Sequence, residues 1–299
     1  MASETRHRAR SIEEYRAGQQ RFVAAARSAY DAAPLRPRPT DVVIAPYGKC
    51  GTTMLQQMFH TLRTGGDMDF DDISRAVPWI EMSPILGLDL NAEQRAEPRG
   101  FKSHLSYSSL PKGARYVVSL RDPKDAFVSM FHFMTGWMIE PGTIPLEDFF
   151  EVWAAGGGPE GEGYWTHLLS WWEARKRPDV LLFSYSKMVR DPAAHIRRLA
   201  DFAGIALDDE LLELTVERTS RAYMLAHRDR FDDLMMRTLS ETAGGLPGGS
   251  DSAKVRAGSS GDHKAELPAA LAERMDSIWA ERVTPLLGFA DYAALEAEL

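Results

Sequence analysis

The chain has 299 residues, of which 44% are hydrophobic, and it carries a formal net charge of −8 at pH 7. This size suits one large α/β domain or two small ones, and the negative charge argues against a general polyanion-binding protein. No stretch approaches the roughly 18 apolar residues of a membrane span, and the single cysteine excludes an internal disulfide. We therefore expect no nucleic-acid partner and no membrane span.

Residues 1–40 are rich in arginine but also carry acidic residues, and they lack the apolar core of a signal peptide. Within them, Ser11–Tyr30 is predicted as an amphipathic helix, with Ser11 as its N-cap and Glu14 three residues on. We predict that residues 1–40 form a helical extension to a domain over residues 41–299. A cytoplasmic location is the expectation that follows.

The segment Asp41–Thr53 (DVVIAPYGKCGTT) predicts a strand, a turn and the start of a helix. Its β-branched apolar residues are typical of a strand buried on both faces, predicted over Val42–Ala45. Proline and glycine then break the strand, and a helix is predicted over Met54–Thr64. Such a helix start favours an anion, and Lys49 adds a full positive charge. We therefore predict a P-loop-like phosphate site.

This loop differs from the usual nucleoside-triphosphate loop, which reads G-x-x-x-x-G-K-[ST]. Val43 stands where the first glycine would be, and Cys50 stands where a serine or threonine would bind Mg²⁺. We therefore expect the loop to hold phosphates without a metal.

Next along the chain, Gly100–Ser103 is predicted as a short strand. Lys102 and His104 lie two residues apart, so in an extended segment both point to the same side. A neighbouring cation disfavours protonation of an imidazole, which makes His104 a candidate general base. A lone histidine is more often a core or surface residue, but this one follows a strand and stands near one of only eight lysines.

The third predicted strand, Tyr116–Leu120, ends at Arg121. A Walker-type NTPase places an aspartate that helps to hold Mg²⁺ at such a strand end, whereas an arginine offers donors to a second anion. Ser129 lies eight residues further on, in a predicted helix, where its hydroxyl can join the same phosphate. The alternative is that Arg121 only pairs with Asp122 or Asp125.

The rest of the chain continues the alternation of strands and helices. A fourth strand is predicted over Val180–Ser184, and further helices over Ala126–Met134, Leu146–Ala155, Tyr164–Arg175, Pro192–Ala203, Asp208–Glu217 and Pro268–Val283. This pattern predicts a single α/β domain with a central parallel sheet flanked by helices, and with ligands at the carboxyl ends of the strands. The glycine-rich tract over residues 242–262 is predicted as a loop that serves as a lid.

Three of these segments resemble the cytosolic-type sulfotransferases, which transfer the sulfuryl group of 3′-phosphoadenosine 5′-phosphosulfate (PAPS) to an acceptor hydroxyl or amine. Tyr47–Met54 (YGKCGTTM) is similar to the family signature YPKSGTTW. Arg121–Phe133 (RDPKDAFVSMFHF) is similar to the signature RNPKDVAVSYYHF, and Lys102–Leu105 (KSHL) to the KxHL strand.

Three weaker similarities follow in the order that the family has. Tyr185 stands in a segment similar to the family's YEDM, with Asp191 and Pro192 after it. Thr219–Arg221 (TSR) resembles the TSF segment, and Arg256–Lys264 (RAGSSGDHK) resembles RKGxxGDWK. Each motif is weak by itself, but six of them in the right order cover nearly the whole chain.

The resemblance implies PAPS as the sulfuryl donor, 3′,5′-diphosphoadenosine as the product, and no metal. The residues at donor-binding positions are Lys49, Cys50, Gly51, Thr52, Thr53, Met54, Arg121, Ser129, Tyr185, Thr219, Arg221, Arg256, Ala257 and Gly258. The catalytic residues implied are His104 as general base, Lys49 and Lys102 as stabilisers of developing charge, and Ser129 at the 3′-phosphate.

Four departures from the family pattern alter the expected donor contacts. Met54 and Arg221 stand where the family has the aromatic residues that sandwich adenine, and Ala257 replaces a lysine. Cys50 replaces a serine, either because a small residue is tolerated there or as an acidified, reactive thiol at a helix start. The family's dimer motif is not recognisable after residue 264, so any oligomer would use another surface.

Aromatic residues near the predicted cleft are candidates for the acceptor pocket: Trp79, Phe101, Tyr107, Phe131 and Trp137. They favour a small apolar or aromatic acceptor with a hydroxyl group, although core packing explains such residues equally well. The sequence therefore predicts a PAPS-dependent sulfotransferase. A non-catalytic adenosine-nucleotide-binding protein would need neither Lys102 nor His104, and a nucleotide kinase would need the missing glycine and Mg²⁺ ligands.

Overall fold

A sheet of four parallel strands lies at the centre of the protein. The computed structural model describes residues 6–156, 162–250, 254 and 266–299. Within these ranges the strands are β1 (Val42–Ile44), β2 (Gly100–Lys102), β3 (Arg115–Leu120) and β4 (Val180–Ser184). Their spatial order is β2-β1-β3-β4, and every pairing is parallel. The predicted parallel sheet is confirmed, and each strand lies within one residue of its predicted bounds.

Helices flank the sheet. They are α1 (Ile12–Ala32), α2 (Thr52–Thr64), α3 (Ile73–Ala76), α4 (Pro123–Met134), α5 (Leu146–Ala154), α6 (Tyr164–Ala174), α7 (Tyr185–Arg190), α8 (Pro192–Ala203), α9 (Asp209–Thr219), α10 (Arg221–Ala226), α11 (Leu234–Thr242), α12 (Ala269–Arg282), α13 (Thr284–Leu287) and α14 (Tyr292–Ala297). All the predicted helices are present. The helices that the sequence did not predict are short, and a short helix shows too few turns for its period to be recognised.

Two helices begin earlier than predicted, because the residues just before the predicted starts are compatible with a helix start. Helix α2 begins at Thr52, directly after Gly51. Helix α4 begins at Pro123, three residues before the predicted start at Ala126. The side chain of Asp122 accepts the N–H of Lys124 (2.8 Å), and proline suits the first helical position because its missing N–H has no helical partner there.

The two faces of the sheet bury different cores. Along β1, Val43 packs into a core that includes Phe127 and Trp165, whereas Val42 and Ile44 pack on the opposite face with residues of α2 and α8. This alternation follows from the two-residue period of a strand. All three strand residues are fully buried, as the sequence pattern predicted.

Helix α1 packs against the rest of the fold. Its N-cap is Ser11, whose hydroxyl accepts the N–H of Glu14 (3.2 Å), and its Tyr15 ring lies 5.8 Å from the Phe149 ring of α5. The division into an extension over residues 1–40 and a domain over 41–299 stays a prediction. Among the described residues, none of the helices combines the length and the apolar character that crossing a membrane requires.

The strand register gathers the loops that follow the strands at one edge. Ile44 in β1 is level with Lys102 in β2 and with Val117 in β3. Because all the strands run in the same direction, their carboxyl ends share an edge, which is where parallel sheets place their ligand sites.

Candidate active site

A cavity of about 690 Å³ opens at the carboxyl edge of the sheet. Every strand contributes residues at or just beyond its end: Lys49 and Gly51 after β1, Lys102 and His104 at β2, Arg121 after β3, and Tyr185 after β4. Helices α1, α2, α4 and α11 supply further wall residues. The fold therefore brings together the three segments that carry the strongest sequence motifs.

The start of helix α2 points its backbone N–H groups at this cavity. Gly51 precedes the helix in the left-handed region (φ 97°), and a Cβ atom there would come within 2.7 Å of the Tyr185 ring. No described side chain caps the helix, and its first-turn N–H groups have no carbonyl partner within it. The Thr52 hydroxyl is buried and makes no hydrogen bond to any described residue. These donors together fit an anion.

Two cations flank this helix start. Lys49 also has a left-handed backbone (φ 66°), and its Nζ lies 4.3 Å from the centre of the Phe133 ring. The Nη1 of Arg121 donates to the Lys49 carbonyl oxygen (2.9 Å), and its guanidinium stacks over the Tyr185 ring at 4.7 Å. The Nε of Arg121 is buried, and no described group accepts its hydrogen bond. Arg121 is therefore held in place with a donor to spare.

Further polar residues extend this part of the wall. Ser129 of α4 lines the cavity, as do Tyr185, Thr219 and Arg221 beside Met54. The Thr219 hydroxyl donates to the Thr215 carbonyl oxygen (2.6 Å), whereas Arg221 is exposed at the start of α10. We refer to the following residues as the anion end of the cavity: Lys49, Gly51–Met54, Arg121 and Ser129.

His104 is buried at the middle of the cavity wall. Its Nδ1 lies 2.7 Å from the Pro46 carbonyl oxygen, and its backbone N–H donates to Glu81 Oε1 (2.8 Å). A carbonyl oxygen can only accept, so Nδ1 carries the proton and Nε2 carries a lone pair. Burial, and next the charge of Lys102, hold the pKa of His104 well below its usual value. The imidazole is therefore neutral at neutral pH.

His167 makes a similar hydrogen bond but lies outside the cavity wall. Its Nε2 donates to the Ala45 carbonyl oxygen (3.0 Å), and burial lowers the pKa of His167 to about 4. A low pKa therefore does not distinguish His104 from a structural histidine, whereas its position in the cavity does.

Lys102 is buried beside His104, as the two-residue spacing predicted. Its Nζ lies 3.8 Å from the centre of the Trp79 ring and 3.9 Å from Asp233 Oδ1. Burial, and next the charge of Lys254, lower the pKa of Lys102 to about 8, and the Asp233 carboxylate opposes that shift. The ammonium is thus close to losing its charge at mildly alkaline pH.

Asp233 and Lys254 complete this charged cluster, and the sequence did not indicate either of them. The Nζ of Lys254 donates to Asp233 Oδ1 (2.6 Å), and the backbone oxygen of Lys254 lies 3.5 Å from the Nζ of Lys49. Burial alone would raise the pKa of Asp233, but the ammonium groups of Lys254 and Lys102 outweigh it and lower that pKa. The scarcity of lysine in the chain is the one signal that could have pointed to Lys254. Asp233 lies in no motif, so the sequence offers no such signal for it.

Another part of the cavity wall is apolar. Trp79 and Trp137 line it, together with residues that the sequence did not assign to the site. We refer to this set as the aromatic end: Phe22, Trp79, Phe133, Trp137, Met138 and Met236. Its members come from α1, the segment before β2, α4 with the loop after it, and α11.

Three residues predicted for the acceptor pocket do not line the cavity and pack in or against the core instead. Phe101 is fully buried, with the Arg99 guanidinium 5.1 Å from the centre of its ring. Tyr107 packs on Trp171 at 5.4 Å. Phe131 packs on the Phe149 ring at 5.5 Å. Phe101 points away from the cavity because side chains alternate along a strand. Lys102 faces the cavity, so the residue before it must face the other way.

Cys50 is not a reactive thiol. Its side chain is 1% exposed, and burial raises the pKa of the thiol to about 12, which excludes the acidified state considered above. The Sγ lies 3.8 Å from the Gly48 carbonyl oxygen and does not line the cavity. These observations fit the other interpretation of Cys50, that a small residue is tolerated at this position.

Part of the predicted donor site lies outside the described residues. Arg256, Ala257 and Gly258 are among them, as is much of the tract over residues 242–262 for which a lid was predicted. In the described ranges, no group of three or more His, Cys, Asp or Glu side chains is placed to hold a metal ion.

Comparison with known proteins agrees with this geometry. Residues 39–286 match the sulfotransferase domain family. Human sulfotransferase 1C2 is 29% identical over 260 residues, which cover 82% of this chain and 84% of that protein. Dog sulfotransferase 1B1 is 28% identical over 259 residues, which cover 83% of this chain and 84% of that protein.

Two solved structures have similar folds. Retinol dehydratase, in complex with androsterone and the inactive cofactor PAP, has a TM-score of 0.70 at 22% identity and covers 88% of this chain and 85% of its own. Mouse sulfotransferase SULT7A1, complexed with PAP, has a TM-score of 0.66 at 20% identity and covers 91% of this chain and 92% of its own. At these identities the likeness concerns the fold alone.

Proposed function

The chain belongs to the sulfotransferase domain family and is a sulfotransferase, and from that premise we propose that it transfers the sulfuryl group of PAPS to a hydroxyl of a small apolar or aromatic acceptor. His104 is the general base in this proposal. The observation that carries it is the hydrogen bond from His104 Nδ1 to Pro46, since it leaves a lone pair on Nε2 in a cavity shared with Lys102 and Lys49.

The anion end suits a doubly phosphorylated adenosine. The N–H groups of Gly51–Met54, the Thr52 hydroxyl and Lys49 would hold the phosphosulfate, while Arg121 and Ser129 would hold the 3′-phosphate. The Thr52 hydroxyl and Arg121 Nε, which are buried and have no hydrogen-bond partner among the described residues, support this assignment. When bound, PAPS would supply the sulfuryl group, and 3′,5′-diphosphoadenosine would be the leaving group.

The adenine would lie beside Tyr185, Met54 and Arg221. A thioether and a guanidinium offer a soft apolar contact and a stacking plane in place of two aromatic rings. Thr219 borders the same space, and its hydroxyl donates a hydrogen bond to the backbone. We also propose that Arg256, Ala257 and Gly258, at positions implied by the family resemblance, contact the 3′-phosphate.

His104 Nε2 takes the proton of the acceptor hydroxyl as the acceptor oxygen bonds to sulfur. Lys102 and Lys49 stabilise the negative charge that develops on the oxygen leaving sulfur and on the sulfuryl oxygens. A positioned general base typically contributes about 10²–10⁴-fold to the rate. The neutral state of His104 is the one that this role requires, because only a neutral imidazole can accept a proton.

The aromatic end supports the choice of acceptor. Its tryptophans, phenylalanines and methionines favour an apolar body, and the Trp79 ring packs edge-on against His104 (5.1 Å), so a ring or chain bound there would present its hydroxyl to the base. Trp79 and Trp137 are the two predicted acceptor residues that line this wall.

A PAPS-dependent screen of phenols and apolar alcohols tests the activity. The proposal predicts transfer to at least one class of hydroxyl without added metal. In parallel, calorimetry should detect binding of 3′,5′-diphosphoadenosine with no requirement for Mg²⁺ and with ATP clearly weaker. Diphosphoadenosine binding without transfer to any acceptor would favour a non-catalytic nucleotide binder, and Mg²⁺-dependent ATP binding would favour a kinase.

Two further proposals concern organisation and location. We propose that residues 1–40 are an extension and residues 41–299 the sulfotransferase domain, which a chain lacking residues 1–40 would test by its capacity to bind diphosphoadenosine. We also propose a cytoplasmic location, on the basis of the resemblance to the cytosolic-type sulfotransferases, and cell fractionation is the direct measurement.

A further inference from the structure

A polar side chain in contact with the aromatic end has hydrogen-bonding capacity that the described residues do not satisfy. Gln19, on helix α1, lines the cavity and is only 5% exposed. Its Nε2 donates to the sulfur of Met138 (2.9 Å), which is a weak acceptor. Its Oε1 is buried, and no described residue donates a hydrogen bond to it. A buried carbonyl oxygen without a donor is unfavourable unless a ligand supplies one.

The chemistry of the contact supports this orientation of the amide. A thioether has no hydrogen to donate, so turning Oε1 toward Met138 would leave both amide atoms without a useful partner. The amide nitrogen therefore faces the sulfur, and the oxygen remains the unsatisfied atom.

Gln19 is connected to His104 by a continuous apolar wall. Phe22 and Ala26 lie three and seven residues after Gln19, on the same face of α1, and both pack in a cluster with Trp79 and Trp137. The Trp79 ring also contacts His104 (5.1 Å). A ligand that lies along this wall has His104 at one end and α1 at the other.

A second buried polar atom belongs to the same wall. The indole nitrogen of Trp137 is buried, and no described residue accepts its hydrogen bond. Gln19 Oε1 needs a donor, and Trp137 Nε1 needs an acceptor. A hydroxyl group provides both functions, whereas a ketone or an ether provides only an acceptor.

We infer that the acceptor is an apolar molecule that carries a second hydroxyl, or an equivalent hydrogen-bond donor, at the end remote from the hydroxyl that is sulfated, and that Gln19 selects for it. This inference rests on the proposed function, since it names the acceptor class of that same site. If Gln19 binds the acceptor, helix α1 is a part of the acceptor pocket.

The test compares two probes, para-phenylphenol and para,para′-biphenol, which differ by one hydroxyl at the far end. Their binding is measured by calorimetry in the presence of saturating 3′,5′-diphosphoadenosine, and kcat/KM is measured with PAPS. We expect the wild type to bind the diol about 10-fold more tightly than the monool, after the twofold statistical correction, because one buried hydrogen bond is gained.

Gln19→Leu removes the carbonyl oxygen at nearly constant volume and suits a helix. It should reduce the corrected diol preference to about one, while leaving monool binding equal or tighter. Gln19→Met repeats the test with a more flexible side chain. The matched control is Gln20→Leu, the same substitution at the next residue of α1, which is exposed, and it should keep the wild-type preference.

The outcomes separate this inference from the proposed function. If diphosphoadenosine binds but the wild type has no preference for the diol, or if Gln19→Leu keeps that preference, the role of Gln19 is wrong while the donor site stands. If diphosphoadenosine binds and neither phenol does, the apolar wall is not an acceptor site and the inference is overturned. Absence of diphosphoadenosine binding would overturn the proposed function itself.

Discussion

The anion end of the cavity rests largely on backbone geometry, whereas the aromatic end rests on side chains brought together from distant segments. The anion end uses the N–H groups at the start of α2, the turn at Gly51 and two cations, Lys49 in the loop after β1 and Arg121 directly after β3. The aromatic end draws on α1, the segment before β2, the end of α4 and α11. A motif can encode the first arrangement, because few consecutive residues determine it; no local pattern encodes the second.

The two ends of the cavity also differ in the polarity of the groups that they present to a ligand. At the anion end, the Thr52 hydroxyl and Arg121 Nε are donors without an acceptor among the described residues, which suits a ligand with fixed negative charges. The aromatic end presents rings and thioethers, and Gln19 contacts it through the sulfur of Met138. We therefore expect substitutions at the anion end to change donor binding, and those at the aromatic end to change acceptor selectivity.

The largest effect is expected at His104, where the two ends meet. His104→Ala removes the proton acceptor and should lower kcat by about 10²–10⁴-fold. Diphosphoadenosine binding should stay within about twofold, because the side chain makes no contact that the anion end requires. His7→Ala, at an exposed histidine, is the matched control. Equal losses of kcat and of nucleotide affinity would place His104 in the donor site and remove it from the base role.

The next effect tests the anion end alone. Arg121→Ala removes charge-assisted hydrogen bonds and should weaken diphosphoadenosine binding about 10- to 100-fold, as measured by calorimetry. Raising the salt concentration should reduce the difference between the variant and the wild type, since exposed phosphates are screened. The control is Arg282→Ala, at an exposed arginine. Wild-type affinity in Arg121→Ala would show that the 3′-phosphate lies elsewhere.

A smaller effect on the rate is expected when the pH is raised, because Lys102 then loses its charge. The pKa of Lys102 in the free enzyme is about 8, so its ammonium is charged below that pH and is lost as the pH rises through it. The value of kcat/KM for PAPS, which reports the free enzyme, should therefore fall above pH 8. The alkaline limit of kcat should lie higher, because a bound anionic donor favours the charged ammonium.

Two substitutions should move that alkaline limit in opposite directions. Asp233→Asn removes a carboxylate that raises the pKa of Lys102, so the limit should shift down by about one pH unit. Lys254→Met removes a cation that lowers the pKa, so the limit should shift up. Asp72 and Glu81 also raise the pKa of Lys102 and are left unchanged in both variants. Shifts in the same direction would contradict an electrostatic origin.

The smallest effect is expected at Cys50. With a thiol pKa of about 12 and almost no exposure, the native protein should react with iodoacetamide far more slowly than the chain unfolded in denaturant. Cys50→Ser should leave diphosphoadenosine affinity within about twofold, because the side chain does not line the cavity. Rapid alkylation of the native protein, or loss of binding on alkylation, would reopen the reactive-thiol interpretation.

The fold and the anion end could be predicted because each follows from local rules. The β-branched run at β1 showed a strand buried on both faces, and it is fully buried on both. The glycine and lysine after it marked the turn that opens α2. Where prediction erred locally, as at the start of α4, the cause was the combined effect of Asp122 as cap and Pro123 as first helical residue.

The aromatic end could not be predicted to the same degree. Trp79 and Trp137 line the cavity, but Phe101, Tyr107 and Phe131 look alike in the sequence and pack in the core. An aromatic residue in a cavity wall and one in a core obey the same hydrophobic preference, so composition does not separate them. Only the direction of each side chain in the folded chain does.

The sequence by itself determined the parallel sheet, the turn that opens α2 and the pairing of Lys102 with His104, because each is indicated by residues that are close along the chain. The tertiary structure alone decided that α1 contributes Gln19 and that Asp233 and Lys254 join Lys102. Lys102 and Asp233 are far apart in sequence, and their contact exists only because the sheet and α11 pack at one edge. Long-range contacts follow from the packing of whole elements, which a single sequence does not display.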